Sequence, residues 1–255
     1  MTESFEADWL ALREPADIAA RSALLADRFL ENLPSRPRIM DLGAGTGSNA
    51  RYLNTRAEKH GMQIDWVLVD GDATLLDRAA LPRFDRQVLD FANDPSAIDF
   101  TGIDAVSASA LFDLVSKDWF TRFVTLLGPR PLLAALTASG GHEWAPGDPE
   151  DATVETWVAA DMRRNKGFGP ALGLAAPTAM ATGLSDAGFT VHQVDTPWLL
   201  GTADAALVTA MIDGIAAAIS VHGNAADWRN RRLAAARAGA LRLTVGHRDI
   251  LAVPQ

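Results

Sequence analysis

The 255-residue sequence contains no cysteine. Disulfides, thiolate metal sites and thiol nucleophiles are therefore excluded. Basic residues are scarce: 23 Lys and Arg stand against 32 Asp and Glu, for a formal net charge of −9. Binding to phosphate backbones or anionic membranes rests on a basic surface, so small molecules or proteins are the expected partners, with neither nucleic acid nor membrane among them. The five histidines, at positions 60, 142, 192, 222 and 247, show no H-x-x-x-H or similar ligand spacing, and no metal site is expected. No basic, apolar N-terminal signal and no 18-residue apolar run stand out, which makes the cytoplasm the expected location. Repeats and low-complexity tracts are absent too, apart from alanine enrichment towards the C-terminus. With 48% hydrophobic and 22% charged residues, the profile is that of an ordinary globular chain. Its length suits one large α/β domain.

The most informative segment is 38–47, Arg-Ile-Met-Asp-Leu-Gly-Ala-Gly-Thr-Gly. It reads as a short apolar strand ending in an acid, then a loop with glycine at every second position. Gly43, Gly45 and Gly47 let a ligand lie directly on the peptide planes, because no Cβ intervenes. A helix expected from about Ser48 would aim its N-terminal N–H groups at that ligand and favour an anionic group on it. A dinucleotide fingerprint has the spacing G-x-G-x-x-G and no carboxylate near the pyrophosphate. Here the third glycine comes one residue early and Asp41 precedes the first by two.

These residues resemble motif I of the class I S-adenosylmethionine-dependent methyltransferases, D/E-x-G-x-G-x-G. The resemblance implies a cofactor with an ammonium, a sulfonium and a carboxylate. Asp41 would accept from the ammonium directly or through water, while Gly43, Ala44, Gly45, Gly47 and the helix N-terminus form the cradle. Residues 63–70 read as a second buried strand ending in Asp70, followed by Gly71. The separation from Gly47 is close to the spacing of about 20 at which an acid reaches a ribose diol. Asp70 is therefore the expected ribose ligand; its alternative is a helix cap, for which Asp72 is the better placed residue.

A third strand near 86 leads to Asp90 and Phe91, where the family usually receives the adenine amino group and packs on its ring. Turn formation by Asp90 before Asn93-Asp94-Pro95 is the competing reading. After a fourth strand, 103–109, the resemblance places Ser107 and Ser109 near the cofactor and leaves Asp113 to face the acceptor or to sit on a solvated helix. Arg13 could reach the cofactor carboxylate; an exposed ion pair with a neighbouring acid is the plainer reading.

The implied fold is a doubly wound α/β domain over residues 1–255, with a mainly parallel seven-stranded, Rossmann-like sheet and helical additions at both ends. Residues 1–35 would form helical segments: Phe5, Trp9 and Leu12 on one helix, a second beginning at Pro15, and Ile18, Ser22, Leu25 and Phe29 on one face. The cofactor core would span 36–138. Residues 139–177 would make an acceptor-side insert, and 178–255 would supply the C-terminal helices and last strands. Within the insert, Trp144, Trp157 and Phe168 would form an apolar wall and Lys166 a polar contact, unless the tryptophans simply fill core under a long loop.

The reaction implied is in-line methyl transfer to a small-molecule acceptor. His142, just beyond strand five, is the best-placed base, with a solvated loop histidine as the plainer reading. An aminopropyl transferase, a non-catalytic cofactor-binding protein and a dinucleotide-dependent oxidoreductase are the alternatives. Base methylation is disfavoured because Ser107-Ala-Ser-Ala replaces an N/D-P-P-Y/F-type loop. The C-terminal helices leave room for a homodimer surface.

Overall fold

In the computed structural model, which describes residues 6–255, alternating strands and helices build a mainly parallel sheet. After α1 (Ala7–Ala20) and α2 (Ala23–Glu31) come β1 (Arg38–Leu42), α3 (Ser48–Lys59), β2 (Asp65–Asp70), α4 (Ala73–Leu76), β3 (Phe84–Val88), β4 (Ala105–Ser109), α5 (Lys117–Leu127) and β5 (Leu132–Ala145). The second half comprises α6 (Asp151–Met162), α7 (Ala176–Asp186), β6 (Phe189–Asp195), β7 (Trp198–Leu200), α8 (Ala205–Ala218), α9 (Ala226–Arg237) and β8 (Arg242–Pro254). The sheet runs β3-β2-β1-β4-β5-β8-β6, with β8 antiparallel to β5 and to β6.

The inner strands are apolar on both faces, as a covered parallel sheet requires. Met40, Leu42, Val67, Val69, Val106 and Ala108 face one core, which α5 and α7 cover; Ile39, Trp66, Leu68 and Ala105 face the other, under α2 and α3. Helix α5 shows how the local sequence does this. Ser116 caps it by accepting from the Trp119 N–H at 3.2 Å, and Trp119, Phe120, Phe123, Val124 and Leu127 then fall on one buried stripe. Each of those side chains contributes about 1.5–3 kcal/mol on burial.

Several expectations are corrected. The sheet has eight strands, not seven, because the short β7 adds to β8. Strands β5 and β8 also run far beyond the core as an antiparallel pair reaching Ala145↔Arg242, so His142 lies inside strand five rather than after it. That extension, covered by α6, α8 and α9, carries a third core around Trp144, Trp198, Ile212 and Trp228. Helix α1 continues through Pro15 instead of restarting there. The lost N–H is offset by packing of Trp9, Leu12, Ala16 and Ala20 on the third core. Ile18 is exposed and Ser22 is the N-cap of α2, so these two do not share a helix face with Phe29. Phe5 lies outside the described residues. The helix that follows Asp72, for which a span of 72–80 is expected from the sequence, is only the four-residue α4. Finally, the helical stretch Thr202–Val221 is long and apolar enough, by length and composition only, to cross a membrane, with mean hydropathy 1.6. In this fold its Leu207, Val208, Ile212 and Ile215 pack into the third core.

Candidate functional site

Each glycine of the loop after β1 has a positive φ: Gly43 at 64°, Gly45 at 52° and Gly47 at 79°. At Gly45 a Cβ would also sit 3.1 Å from Leu10 Cδ1, close enough that the α1 side chain would have to withdraw by a few tenths of an ångström. The loop is tied to the next strand by the Ala44 N–H, which donates to the Val69 carbonyl at 3.0 Å. Beside it, at the carboxyl ends of the parallel strands, lies a cavity of about 580 Å³ roofed by Leu10, Arg13 and Asp17 of α1. Ligands of doubly wound sheets bind at this end.

Asp70 closes one side. Its carboxylate accepts from the Gly45 N–H at 2.8 Å and from the Asp72 N–H at 2.9 Å, and burial pushes its pKa up. The N-cap role falls to Asp72, which accepts from Thr74 N–H at 2.8 Å. Asp90 lines the same cavity while accepting from the Ala92 N–H at 3.0 Å, so the turn and a ligand contact are compatible. Phe91, buried, is held by its carbonyl on Trp119 Nε1 at 2.9 Å, and its ring lies 5.9 Å from that of Phe168. Both rings line the cavity, as do Gly43, Ala44, Gly45, Gly71 and Ser109. Gly47 is the N-cap of α3, and Thr46 and Ser48 on either side of it face the cavity.

Arg13 lines the cavity and also forms a two-point pair with Asp17, at 2.9 and 3.1 Å; the pair is largely buried rather than exposed, because α1 lies over the cavity. Its guanidinium lies 5.0 Å from the Trp198 ring centre, and Trp198 Nε1 donates to Asp17 at 3.1 Å.

Asp41 occupies a different place from the one its motif suggests. It is fully buried and does not line the cavity. Its Oδ1 accepts from Ser107 Oγ at 2.7 Å and from the Asn49 amide, while its Oδ2 has no hydrogen-bond partner. Burial, opposed by those two hydrogen bonds and by Arg21, pushes its pKa up to about 6. Ser107, fully buried and absent from the cavity lining, is thus a support for Asp41, whereas Ser109, two residues nearer the strand end, lines the cavity.

The remaining expected residues lie away from the cavity wall. Asp113 sits in the turn after β4, not on a helix; its Oδ1 is buried without a partner, and burial raises its pKa against the pull of Lys166 and Arg13. His142 pairs through Nδ1 with Glu155 of α6 at 3.0 Å. Trp144 is buried edge-on against Trp228, ring centres 5.6 Å apart, and Trp157 packs on the same third core; both tryptophans fill core. Lys166 lies 3.9 Å from Asp161. Among the described residues, no group of three or more His, Asp or Glu is placed to hold a metal ion.

Among the cavity residues that the motif reading did not name are Asn49, Ala110 and Leu114. Asn49 had one available signal, its position two residues past the third glycine on the helix that faces the ligand. Ala110 had none, since its φ of 52° is a conformation alanine rarely adopts.

No family model matches the chain, and no curated protein matches it. Solved structures do. A proposed methyltransferase from Bacillus halodurans C-125 is 10% identical, with TM-score 0.51, over 90% of this chain and 99% of that one. A chain of the complex between the Haloferax volcanii Trm112 methyltransferase activator and its proposed methyltransferase is 16% identical, with TM-score 0.50, over 98% and 95%. A looser match, TM-score 0.43 at 13% identity over 88% and 79%, is the geranyl diphosphate C-methyltransferase from Streptomyces coelicolor A3(2). Strand order, an antiparallel strand between β5 and β6, the glycine loop after β1 and the first two similarities agree: the chain has the class I methyltransferase fold.

Proposed function

We propose that the protein transfers the methyl group of S-adenosylmethionine to a small-molecule acceptor. The observation that carries this reading is the mixed polarity of one cavity. The α3 N-terminus and Arg13 suit a carboxylate. Asp70 and Asp90, on the same lining, retain lone pairs for ribose hydroxyls and an exocyclic amine. Asp41, buried behind the lining residue Asn49 and with its Oδ2 unpartnered, supplies the counter-charge an ammonium needs. A pyrophosphate would meet those carboxylates unfavourably. The volume, about 580 Å³, suits one cofactor-sized ligand.

When bound, S-adenosylmethionine supplies an electrophilic methyl group on a sulfonium. The chain's part is alignment and exclusion of water. Ala110, Leu111, Leu114 and Phe168 give the cavity an apolar wall, and a nucleophile held against it is oriented without competition from solvent. No side chain on that wall is assigned as a base, and none is required for an in-line displacement.

Calorimetric titration of S-adenosylmethionine or S-adenosylhomocysteine tests the reading. Asp70→Ala is expected to weaken binding by about 1–3 kcal/mol through loss of a charged hydrogen bond. Unchanged affinity would refute the ribose role, and no binding by the unaltered protein would refute the function. The acceptor is sought by incubating the protein with labelled cofactor and the small-molecule fraction of a cell extract, then finding the compound that gains a methyl group.

A further inference from the structure

The Asp41 carboxylate does not line the cavity but is hydrogen-bonded to Asn49, which does, and Asn49 is held by two ionisable groups at once. It is the second residue of α3, buried, and it lines the cavity. Its Nδ2 donates to Asp41 Oδ1 and to Ser107 Oγ at 3.2 Å, and its Oδ1 accepts from Arg21 Nη1 at 2.7 Å. The opposite orientation of the amide would set its oxygen on a carboxylate and its N–H groups on a guanidinium, so both neighbours fix the same orientation.

Arg21 is an expensive residue to keep at the junction of α1 and α2. It is 8% exposed, Tyr52 covers its face at 4.3 Å, and its closest carboxylate oxygen, on Asp249, is 3.7 Å away. That oxygen already accepts from the Ser22 N–H at 2.9 Å, and the other oxygen of Asp249 from Leu136 N–H and Thr196 Oγ1. Arg21 Nε and Nη2 have no hydrogen-bond partner. A buried cation so weakly paired is a poor stabiliser of a helix junction, and its one direct hydrogen bond goes to the cavity residue.

We propose that Arg21 and Asn49 are positioning residues for the amino-acid end of the cofactor: Arg21 locks the Asn49 amide, and the locked amide holds Asp41 as the carboxylate whose charge the ammonium feels. This rests on the cavity being an S-adenosylmethionine site. The groups that face Asp41 are Ser107 from β4, Asn49 from α3, Arg21 from the α1–α2 junction and Asp70 from the end of β2. The first three favour the carboxylate; burial and Asp70 oppose it, and the balance lies at about 6. Removing Arg21 or Asn49 moves that balance up, so that Asp41 keeps its proton at neutral pH and the ammonium loses its counter-charge.

The test titrates two ligands, S-adenosylhomocysteine and 5′-methylthioadenosine, into the unaltered protein and into Arg21→Met, Arg21→Lys and Asn49→Leu. The second ligand keeps the nucleoside thioether but lacks the amino-acid end, so it reports whether the rest of the cavity is intact. For the unaltered protein, affinity for S-adenosylhomocysteine should be about tenfold weaker at about pH 5 than at about pH 7.5, because the former lies roughly one unit below the Asp41 midpoint. Arg21→Met and Asn49→Leu should bind it at least about tenfold more weakly at neutral pH and shift the pH midpoint upward, with Arg21→Lys restoring part of the loss. Affinity for 5′-methylthioadenosine at neutral pH should stay within about twofold across the variants. Equal affinity of the Met and Leu variants for S-adenosylhomocysteine, or a parallel loss of both ligands, would overturn the positioning roles while leaving the cofactor reading in place. Failure of the unaltered protein to bind either ligand would overturn the cofactor reading itself.

Discussion

Ala110 stands where β4 gives way to the cavity, with its N–H donating to the Ala135 carbonyl at 3.0 Å and its φ held at 52°. An L-residue pays roughly 1–2 kcal/mol for such a backbone. Glycine there is expected to be neutral or stabilising by up to about 1 kcal/mol, where the same change in an ordinary helix costs about 0.5–1 kcal/mol. Urea denaturation of Ala110→Gly checks this, and a loss as large as the helical one would show that the strain is not real. The contrast with Asp70 explains what a sequence discloses at this scale. Glycines and strand-end acids carry their conformational or chemical meaning in their identity, so Gly43, Gly45, Asp70 and Asp90 could be named in advance. An alanine at positive φ, or an asparagine wedged between a carboxylate and a guanidinium, takes its meaning from neighbours distant along the chain, such as Arg21 with respect to Asn49.

At the scale of elements, the alternation of strand and helix from 38 to 138 was legible because short continuous apolar runs and capped amphipathic stripes are local signals. The β5–β8 extension was not. Ser139-Gly-Gly reads as a strand's end, and the partner that keeps β5 extended lies about a hundred residues on; the Asp249 carboxylate takes up the Leu136 N–H at 2.8 Å where the ladder is irregular. The crossing point is Gly246, whose missing Cβ would fall 1.7 Å from the Ser139 carbonyl oxygen. Gly246→Ala is therefore expected to cost at least about 3 kcal/mol, since two backbones must separate. A denaturation midpoint close to that of the unaltered protein would contradict that packing. Helix α1 is fastened onto this same extension by Trp198 Nε1 and onto α3 by the pair of Glu14 with Arg51 at 2.7 Å. Trp198→Phe keeps most of the ring and removes the donor to Asp17, for an expected loss of about 1–3 kcal/mol measured in the same way.

For the whole molecule, buried ionisable groups set how stability follows pH, and two of them pull in opposite directions. His247 is 8% exposed, its ring centre 5.0 Å from that of Trp198, and burial together with Arg13 and His142 pushes its pKa down to about 3. Between about 3 and the unfolded value of about 6.5, the unfolded chain binds the extra proton, so this group's contribution grows as pH rises through that window and is complete above it. Asp41, at about 6 when folded against 3.8 in the unfolded chain, does the reverse: here the folded protein binds the proton, and stability falls as pH rises between those values. His247→Phe isolates the first effect. The stability difference between the unaltered protein and this variant should be smaller at about pH 5 than at about pH 7.5 by roughly 2 kcal/mol, the product of some 1.5 units below the unfolded pKa and 1.36 kcal/mol per unit. Asp41→Asn should show the opposite trend, the unaltered protein gaining on the variant as pH falls from about 6 towards 4. Urea melts at three or four pH values measure both, and a difference that stays constant across the range for either variant would mean that the corresponding group titrates alike in the folded and unfolded chains.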